Sequence, residues 1–169
     1  SHPRSPCPLM YTALHGVAGD TVAELFQRAE VTGFHTVAAQ HDPDGLFPTV
    51  DQPNPQEVEA LAAAMAEADR RCIDLILAND PDGDRLAVAV RAPDGAWRPL
   101  TGDAVGVLLA DDLLRHGPAD HDRCVASSLV STSMLKAIAR THGAECLTTL
   151  TGFKWIARAG LEAEAAGKR

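Results

Sequence analysis

Three aspartates, Asp80, Asp82 and Asp84, lie two residues apart and directly follow a mainly apolar run over residues 73–78. The run predicts a buried strand, so the aspartates should lie at the end of a sheet, where open α/β folds bind ligands. Crowded carboxylates repel one another unless a cation or positively charged side chains offset their charge. Mg²⁺ fits such a site because it prefers oxygen ligands and keeps positions open for water or a substrate phosphate. Arg85 adds a planar cation suited to a phosphate, so the segment predicts phosphoryl chemistry.

The elements that must position this segment alternate between short apolar runs and longer helical patterns. Strands are predicted over residues 9–14, 35–40, 73–78 and 86–91, with a short antiparallel return over 97–100. Helices are predicted over residues 20–32, 56–71 and 101–116. This order predicts a three-layer α/β/α fold with a mixed, mainly parallel sheet.

A second α/β unit is predicted after Gly117-Pro118, which is a helix stop signal and the best candidate for a domain boundary. We therefore expect domains over residues 1–118 and 119–169. The βα pattern restarts there, with strands over 124–129 and 146–150 and helices over 131–142 and from 152 onward. About fifty residues are few for an independent core of this architecture, so the second unit is expected to be partial.

Composition excludes several classes of function. The formal net charge is −8 and the basic residues are scattered, which argues against a nucleic-acid partner. No run approaches the roughly 20 apolar residues of a membrane span, so no membrane partner is expected. The four cysteines lie far apart without a Cys-x-x-Cys pair, which favours neither a zinc site nor a disulfide framework. A reducing cytoplasm fits this pattern best.

Two further strand-to-helix turns are candidates for ligand binding. The turn around His15 and Gly16 could present backbone amides to an anion, and His15 itself is a weaker ligand candidate. The turn Thr151-Gly152-Phe153-Lys154 places a lysine in a first helical turn, where the helix dipole disfavours it. A functional role for Lys154 would explain that placement, whereas helix capping explains the serines near residue 130.

The aspartate segment admits other interpretations. A polar turn needs no function, because Asp and Gly are common in turns. A calcium EF-hand is excluded, because the sixth position from Asp80 is Arg85 and the twelfth is Arg91, where Gly and Glu are needed. A phosphatase of the haloacid dehalogenase type remains open, with Asp80 as nucleophile and Asp82 as general acid, although Asp84 replaces the expected hydroxyl.

Five segments together resemble the α-D-phosphohexomutase family, the phosphoglucomutases and phosphomannomutases. In order, these segments are Tyr11-Thr-Ala-Leu-His-Gly-Val, Pro53-Asn-Pro, Asp80-Pro-Asp-Gly-Asp-Arg-Leu-Ala-Val, Leu100-Thr-Gly-Asp and Leu150-Thr-Gly-Phe-Lys-Trp-Ile. The resemblance covers nearly the whole chain and implies the second of four domains over residues 1–118, followed by the beginning of the third.

The resemblance also implies roles for individual residues. Asp80, Asp82 and Asp84 resemble the family's three Mg²⁺ ligands, and Arg85 resembles the arginine near the reacting phosphate. Residues 151–154 resemble the third-domain loop that faces the sugar. The implied reaction moves a phosphate between C1 and C6 of a hexose phosphate, through a phosphoserine and a hexose bisphosphate. The implied partners are those sugar phosphates and the other domains of a parent protein.

Some family segments do not occur in this sequence. The phosphoserine segment resembling Thr-x-Ser-His-Asn-Pro is one, and the sugar-binding Gly-Glu-Glu loop and the phosphate-binding Arg-x-Ser-Gly-Thr loop are others. Without a nucleophile or a phosphate clamp, we expect the chain alone to be inactive. A non-catalytic module that binds a sugar phosphate or a partner chain remains a third hypothesis.

Overall fold

The computed structural model describes residues 7–117 and 122–168 and divides the chain into two compact units. The division falls between Thr101 and Gly102. The boundary predicted at residue 118 falls on residues 118–121, which lie outside the described part. The preceding helix belongs to the second unit, because Asp111 accepts a hydrogen bond from His142 Nε2 at 2.8 Å within that unit. The division therefore lies earlier in the chain than the sequence predicted.

The first unit contains a five-stranded sheet in the order β2-β1-β3-β4-β5. Its strands are β1 (Leu9–Thr12), β2 (Phe34–Thr36), β3 (Leu75–Asn79), β4 (Leu86–Arg91) and β5 (Trp97–Pro99). β1 pairs in parallel with β2 and β3, whereas β4 pairs in antiparallel fashion with β3 and β5. The predicted mixed sheet is confirmed, with parallel pairing in one half and antiparallel pairing in the other.

One helix covers each face of this sheet. They are α1 (Gly19–Arg28) and α2 (Ala62–Arg71), and a single 3₁₀ turn, Val58–Leu61, leads into α2. Because successive strand residues face opposite sides, Tyr11 packs with Phe26 of α1 while Met10 packs in the cluster that contains Ala64 of α2. The predicted α/β/α layers are confirmed. Within the sheet, the parallel pairing of β1 and β3 places their carboxyl ends side by side.

The second predicted strand is shorter than expected. It was predicted over residues 35–40, but β2 ends at Thr36 and Ala38–Gln40 forms a single 3₁₀ turn. The reason is a polar side chain: Gln40 is fully buried and hydrogen-bonded to Thr12 and Thr49, which a continuing strand would not allow. Buried amides require such partners.

The second unit repeats the βα pattern. Its elements are α3 (Gly102–His116), β6 (Cys124–Ser128), α4 (Met134–Thr141), β7 (Glu145–Thr149) and α5 (Phe153–Ala165). β6 and β7 pair in parallel, as the predicted βα alternation requires. Across the two described stretches, no helix is both long and apolar enough to cross a membrane.

We predict that Ile76→Ala destabilises the first unit by about 2–5 kcal/mol, because Ile76 is fully buried beneath α2 and its loss leaves a cavity. Urea unfolding followed by Trp97 fluorescence measures the change, in a Trp155→Phe background so that the signal comes from the first unit. The matched control is Leu46→Ala, whose side chain is 88% exposed and should change the free energy of unfolding by less than about 0.5 kcal/mol. Equal losses in the two variants would contradict the assigned core.

Candidate metal centre

The three aspartates lie in the loop that joins β3 to β4, here called the Asp loop (residues 80–85). Asn79 and Leu86 are the last paired residues on either side of it. The Gly83 N–H donates to the Asp80 carbonyl at 3.0 Å, which closes a tight turn inside the loop. Gly83 has a φ of 76°, a left-handed conformation that glycine adopts without steric cost. The turn folds the loop back on itself and brings the carboxylates together.

One oxygen from each of Asp80, Asp82 and Asp84 lies within 4.8 Å of the others. Asp80 is buried, whereas Asp82 and Asp84 are exposed. Three carboxylates with two of them open to solvent form a donor set that suits Mg²⁺, a hard cation that takes oxygen ligands and retains water. The structure thus brings together the three residues that the sequence singled out.

Arg85 holds the buried carboxylate from two directions. Its backbone N–H donates to Asp80 Oδ1 at 3.0 Å, and its Nε donates to Asp80 Oδ2 at 2.7 Å. The same Nε lies 3.7 Å from Asp84 Oδ1. The Arg85 side chain is 52% exposed, so part of the guanidinium group is available to an external anion.

The Asp loop sets its carboxyl pKa values in opposite directions. Burial acts to raise the pKa of Asp80, but the hydrogen bonds from Arg85 outweigh it and hold that pKa below its ordinary value. The pKa of Asp84 is raised, first by the charge of Asp82 and then by desolvation and by Asp80. The exposed side of the loop therefore carries negative charge that Arg85 does not offset.

The two ends of the Asp loop are joined by a brace from the core. The Tyr11 hydroxyl donates to Asn79 Oδ1 at 3.0 Å, and Asn79 Nδ2 donates to the Arg85 carbonyl at 2.7 Å. Burial raises the pKa of Tyr11 to about 12, so the hydroxyl remains a donor at neutral pH. Because Tyr11 belongs to β1, the brace ties both ends of the loop to the strand that pairs in parallel with β3.

The turn around His15 contacts the Asp loop through backbone rather than through its histidine side chain. The Val17 N–H donates to the Pro81 carbonyl at 2.9 Å, and a Cβ on Gly16 would lie only 2.4 Å from the Pro81 Cα. The His15 side chain is buried, and its Nε2 lies 2.8 Å from Thr49 Oγ1. The predicted anion-binding turn is therefore packed against the site.

The third predicted site segment, Thr151-Gly152-Phe153-Lys154, belongs to the second unit. It joins β7 to α5, and Gly152 has a φ of 122° that favours glycine. All four residues are exposed, and Lys154 Nζ lies 5.6 Å from the ring centroid of Trp155. The segment is thus accessible to a ligand.

Comparison with known proteins identifies the family. Residues 1–95 match the model of phosphoglucomutase/phosphomannomutase α/β/α domain II, and residues 101–167 match that of domain III. The chain belongs to the phosphoglucomutase/phosphomannomutase family. The junction of the two matches agrees with the division between the compact units.

Relatives within the family carry names for different sugars. The chain is 42% identical over 149 residues to a Haemophilus influenzae protein named "Probable phosphomannomutase", covering 88% of this chain and 30% of that protein. It is 41% identical over 164 residues to a Schizosaccharomyces pombe protein named "Probable phosphoribomutase", covering 94% and 28%. The chain thus spans less than a third of the length of either relative.

A crystal structure of a phosphoglucomutase/phosphomannomutase family protein from Burkholderia thailandensis has the same fold. It superposes with a TM-score of 0.73 at 29% identity, over 96% of this chain and 33% of that chain. The α/β fold class is therefore confirmed by both the sequence match and the structural match.

Several residues that shape the site were not predicted from the sequence. Pro81 was not among the predicted site residues, yet Gly16 and Val17 both contact it. Thr49 lies in an irregular, proline-rich stretch and gave no signal. A polar residue within a predicted strand, such as Gln40, was the clue that could have revealed a buried hydrogen-bonded group.

We predict that Asp84→Asn raises the melting temperature of the metal-free chain at pH 7. Folding raises the pKa of Asp84, so the ionised carboxylate destabilises the folded state at pH values above that pKa. Once Asp84 is protonated in both the folded and the unfolded state, the destabilisation is lost. The gain should therefore vanish below roughly pH 4. Thermal unfolding in EDTA between pH 3 and pH 7 measures it, with the exposed Asp42→Asn as control. A lower melting temperature for Asp84→Asn at pH 7 would contradict this assignment.

Proposed function

We propose that this chain supplies the metal-holding part of a phosphomutase, which moves a phosphate between C1 and C6 of a hexose phosphate. The observation that carries the proposal is the cluster of Asp80, Asp82 and Asp84 within 4.8 Å, beside an arginine bound to one of them. Membership of the phosphoglucomutase/phosphomannomutase family supports it. The proposed ligands are a hexose phosphate and a hexose bisphosphate.

In this proposal the three aspartates would hold Mg²⁺, which when bound offsets the charge that develops on a transferring phosphoryl group. Arg85 stays anchored to Asp80 through Nε and contacts the phosphate with the exposed part of its guanidinium group. The phosphoserine nucleophile and the remaining phosphate contacts would come from other domains of the protein, because no such segment occurs in this sequence.

Residues 151–154 are proposed to contact the sugar phosphate. The exposure of all four residues supports this role, as does the ammonium group of Lys154. Lysine binds phosphate as a point charge, so Lys154 would contribute attraction more than orientation. His15 is not included among the substrate contacts, because its side chain is buried and bonded to Thr49.

A pentose phosphate is a second candidate substrate. The observation that favours it is the name of a relative: the S. pombe phosphoribomutase is 41% identical to this chain, against 42% for the H. influenzae phosphomannomutase. Both reactions would use the same metal and phosphate contacts, since a C1 phosphate and a terminal hydroxyl are common to both sugars. A test of substrate class must therefore include ribose 1-phosphate beside glucose 1-phosphate.

The haloacid-dehalogenase-type phosphatase is less well supported. Both oxygens of Asp80 accept hydrogen bonds from Arg85, so its lone pairs are less available for attack on phosphorus. The non-catalytic module differs from the proposal only in the absence of turnover by the whole protein.

A cytoplasmic location is also proposed, supported by four cysteines that are free in the part of the chain the structure describes.

We predict that the chain binds Mg²⁺ and that Asp80→Asn weakens this binding at least tenfold, because a ligand charge is lost and the bonds with Arg85 change. Isothermal titration calorimetry measures the affinity. Asp94→Asn is the matched control, since it removes the same charge from an exposed aspartate that pairs with Arg98. Equal affinities for the two variants would place the metal elsewhere.

We predict negligible turnover by the 169-residue chain alone. Glucose 1-phosphate and ribose 1-phosphate would each be supplied with Mg²⁺ and the matching bisphosphate, and the product followed by a coupled enzyme assay. A full-length family member serves as the positive control. Robust formation of the isomeric sugar phosphate would contradict the prediction and show that the chain contains its own nucleophile. Release of inorganic phosphate and free sugar would instead favour the phosphatase alternative.

A further inference from the structure

We infer that a polar network, formed by the buried residues Thr12, His15 and Gln40 together with the exposed Thr49 and here called the Gln40 network, is a positioning device for the Asp loop. It acts through the turn of residues 14–17, which contacts Pro81 through its backbone. The inference rests on the proposed metal site. It assigns a positioning role at that site to residues that would not contact the metal.

The Gln40 network is internally satisfied, which gives it one defined geometry. The Thr12 hydroxyl donates to Gln40 Oε1 at 2.6 Å, and Gln40 Nε2 donates to Thr49 Oγ1 at 2.8 Å. Thr49 Oγ1 then lies 2.8 Å from His15 Nε2, which completes the connection between the sheet and the turn. Because Gln40 is fully buried, its amide has no water to replace a lost partner.

The network holds the turn in a conformation that its residues do not favour. Leu14 and His15 both have left-handed backbone, with φ values of 48° and 59°. Consecutive non-glycine residues persist there only when their surroundings over-determine them. The Thr12 hydroxyl accepts the Leu14 N–H at 3.1 Å, and the Gln40 carbonyl accepts the His15 N–H at 3.0 Å. The Asp44 N–H donates to the His15 carbonyl at 3.0 Å, so both the N–H and the carbonyl of His15 are hydrogen-bonded.

The far side of this turn is in contact with the peptide between the first two proposed ligands. Gly16 approaches so closely that an added Cβ would lie 2.4 Å from both the Pro81 Cα and the Pro81 carbonyl oxygen. The Val17 N–H fixes the same carbonyl at 2.9 Å. Pro81 separates Asp80 from Asp82, so its position sets the spacing of their carboxylates.

Mg²⁺ would be sensitive to that spacing. It requires near-octahedral ligands at about 2.0–2.1 Å, whereas Ca²⁺ accepts longer and more variable distances of about 2.3–2.6 Å. A loosened Pro81 should therefore weaken Mg²⁺ binding more than Ca²⁺ binding. A role in stability alone would lower both affinities in proportion to the unfolded fraction, so the ratio of the two affinities separates positioning from folding.

Calorimetric titration of the 169-residue chain with Mg²⁺ and with Ca²⁺ tests the inference. Thr49→Val removes the hydroxyl that joins Gln40 to His15, and we expect about tenfold weaker Mg²⁺ binding with a loss for Ca²⁺ of roughly threefold or less. Thr49→Ser restores a hydroxyl and should restore the Mg²⁺ affinity. Thr36→Val, the same chemical change in β2, is the matched control and should bind both ions as the wild type does.

Gly16→Ala provides a second variant that acts at the Pro81 contact and leaves the Gln40 network intact. Its Mg²⁺ affinity should likewise fall more than its Ca²⁺ affinity. If Thr49→Val lacks a cooperative thermal transition, Gly16→Ala alone tests the positioning role. Unchanged Mg²⁺ affinity, or equal losses for the two ions in folded variants, would overturn the positioning role while leaving the metal site intact. If the wild type bound neither ion, the proposed metal site itself would fail, and the positioning role with it.

Discussion

Repulsion among three carboxylates within 4.8 Å is the constraint to which the first unit is adapted. At such separations like charges destabilise one another, so the loop keeps its shape only where the surrounding structure supplies the difference. Arg85 supplies charge, Gly83 permits the turn, and Tyr11 joins both loop ends to β1 through Asn79. The sheet and its two helices provide the rigid base on which these contacts depend.

In the Asp loop, one carboxylate is paired with an arginine within the structure, and the other two are open to solvent. Asp80 is paired with Arg85, while the raised pKa of Asp84 shows that the exposed carboxylates are not fully compensated. Three carboxylates and one guanidinium leave a formal charge of −2, which a divalent cation would neutralise. The same balance bears on the proposed phosphate contact of Arg85. The bond with Asp80 orients the guanidinium group, and a bound cation would relieve the competition from Asp82 and Asp84 for that group.

Local patterns were sufficient to predict much of this architecture. The apolar run before Asp80 and the β-branched run of residues 86–91 predicted β3 and β4, because strand formation there depends on burial of alternate side chains. The spacing of the aspartates predicted that the carboxylates would cluster, because a short loop leaves carboxylates two residues apart little room to separate. The unit boundary was placed too late, since a Gly-Pro stop signal marks the end of a helix and carries no information about which unit that helix packs with.

Contacts between distant segments could not be predicted, and they are the ones that define the site. Nothing local relates Gly16 to Pro81 or Gln40 to Thr12. The first contact arises only when β1 pairs in parallel with β3, and the second only when β1 pairs in parallel with β2. A buried glutamine is costly unless every polar atom is satisfied, and that requirement gives it a fixed position. In this unit the segment of Gln40 contacts a turn with left-handed backbone, and that turn contacts the Asp loop. Polar residues that interrupt a hydrophobic pattern beside a ligand-binding loop are therefore better candidates for positioning roles than for direct contact with the ligand.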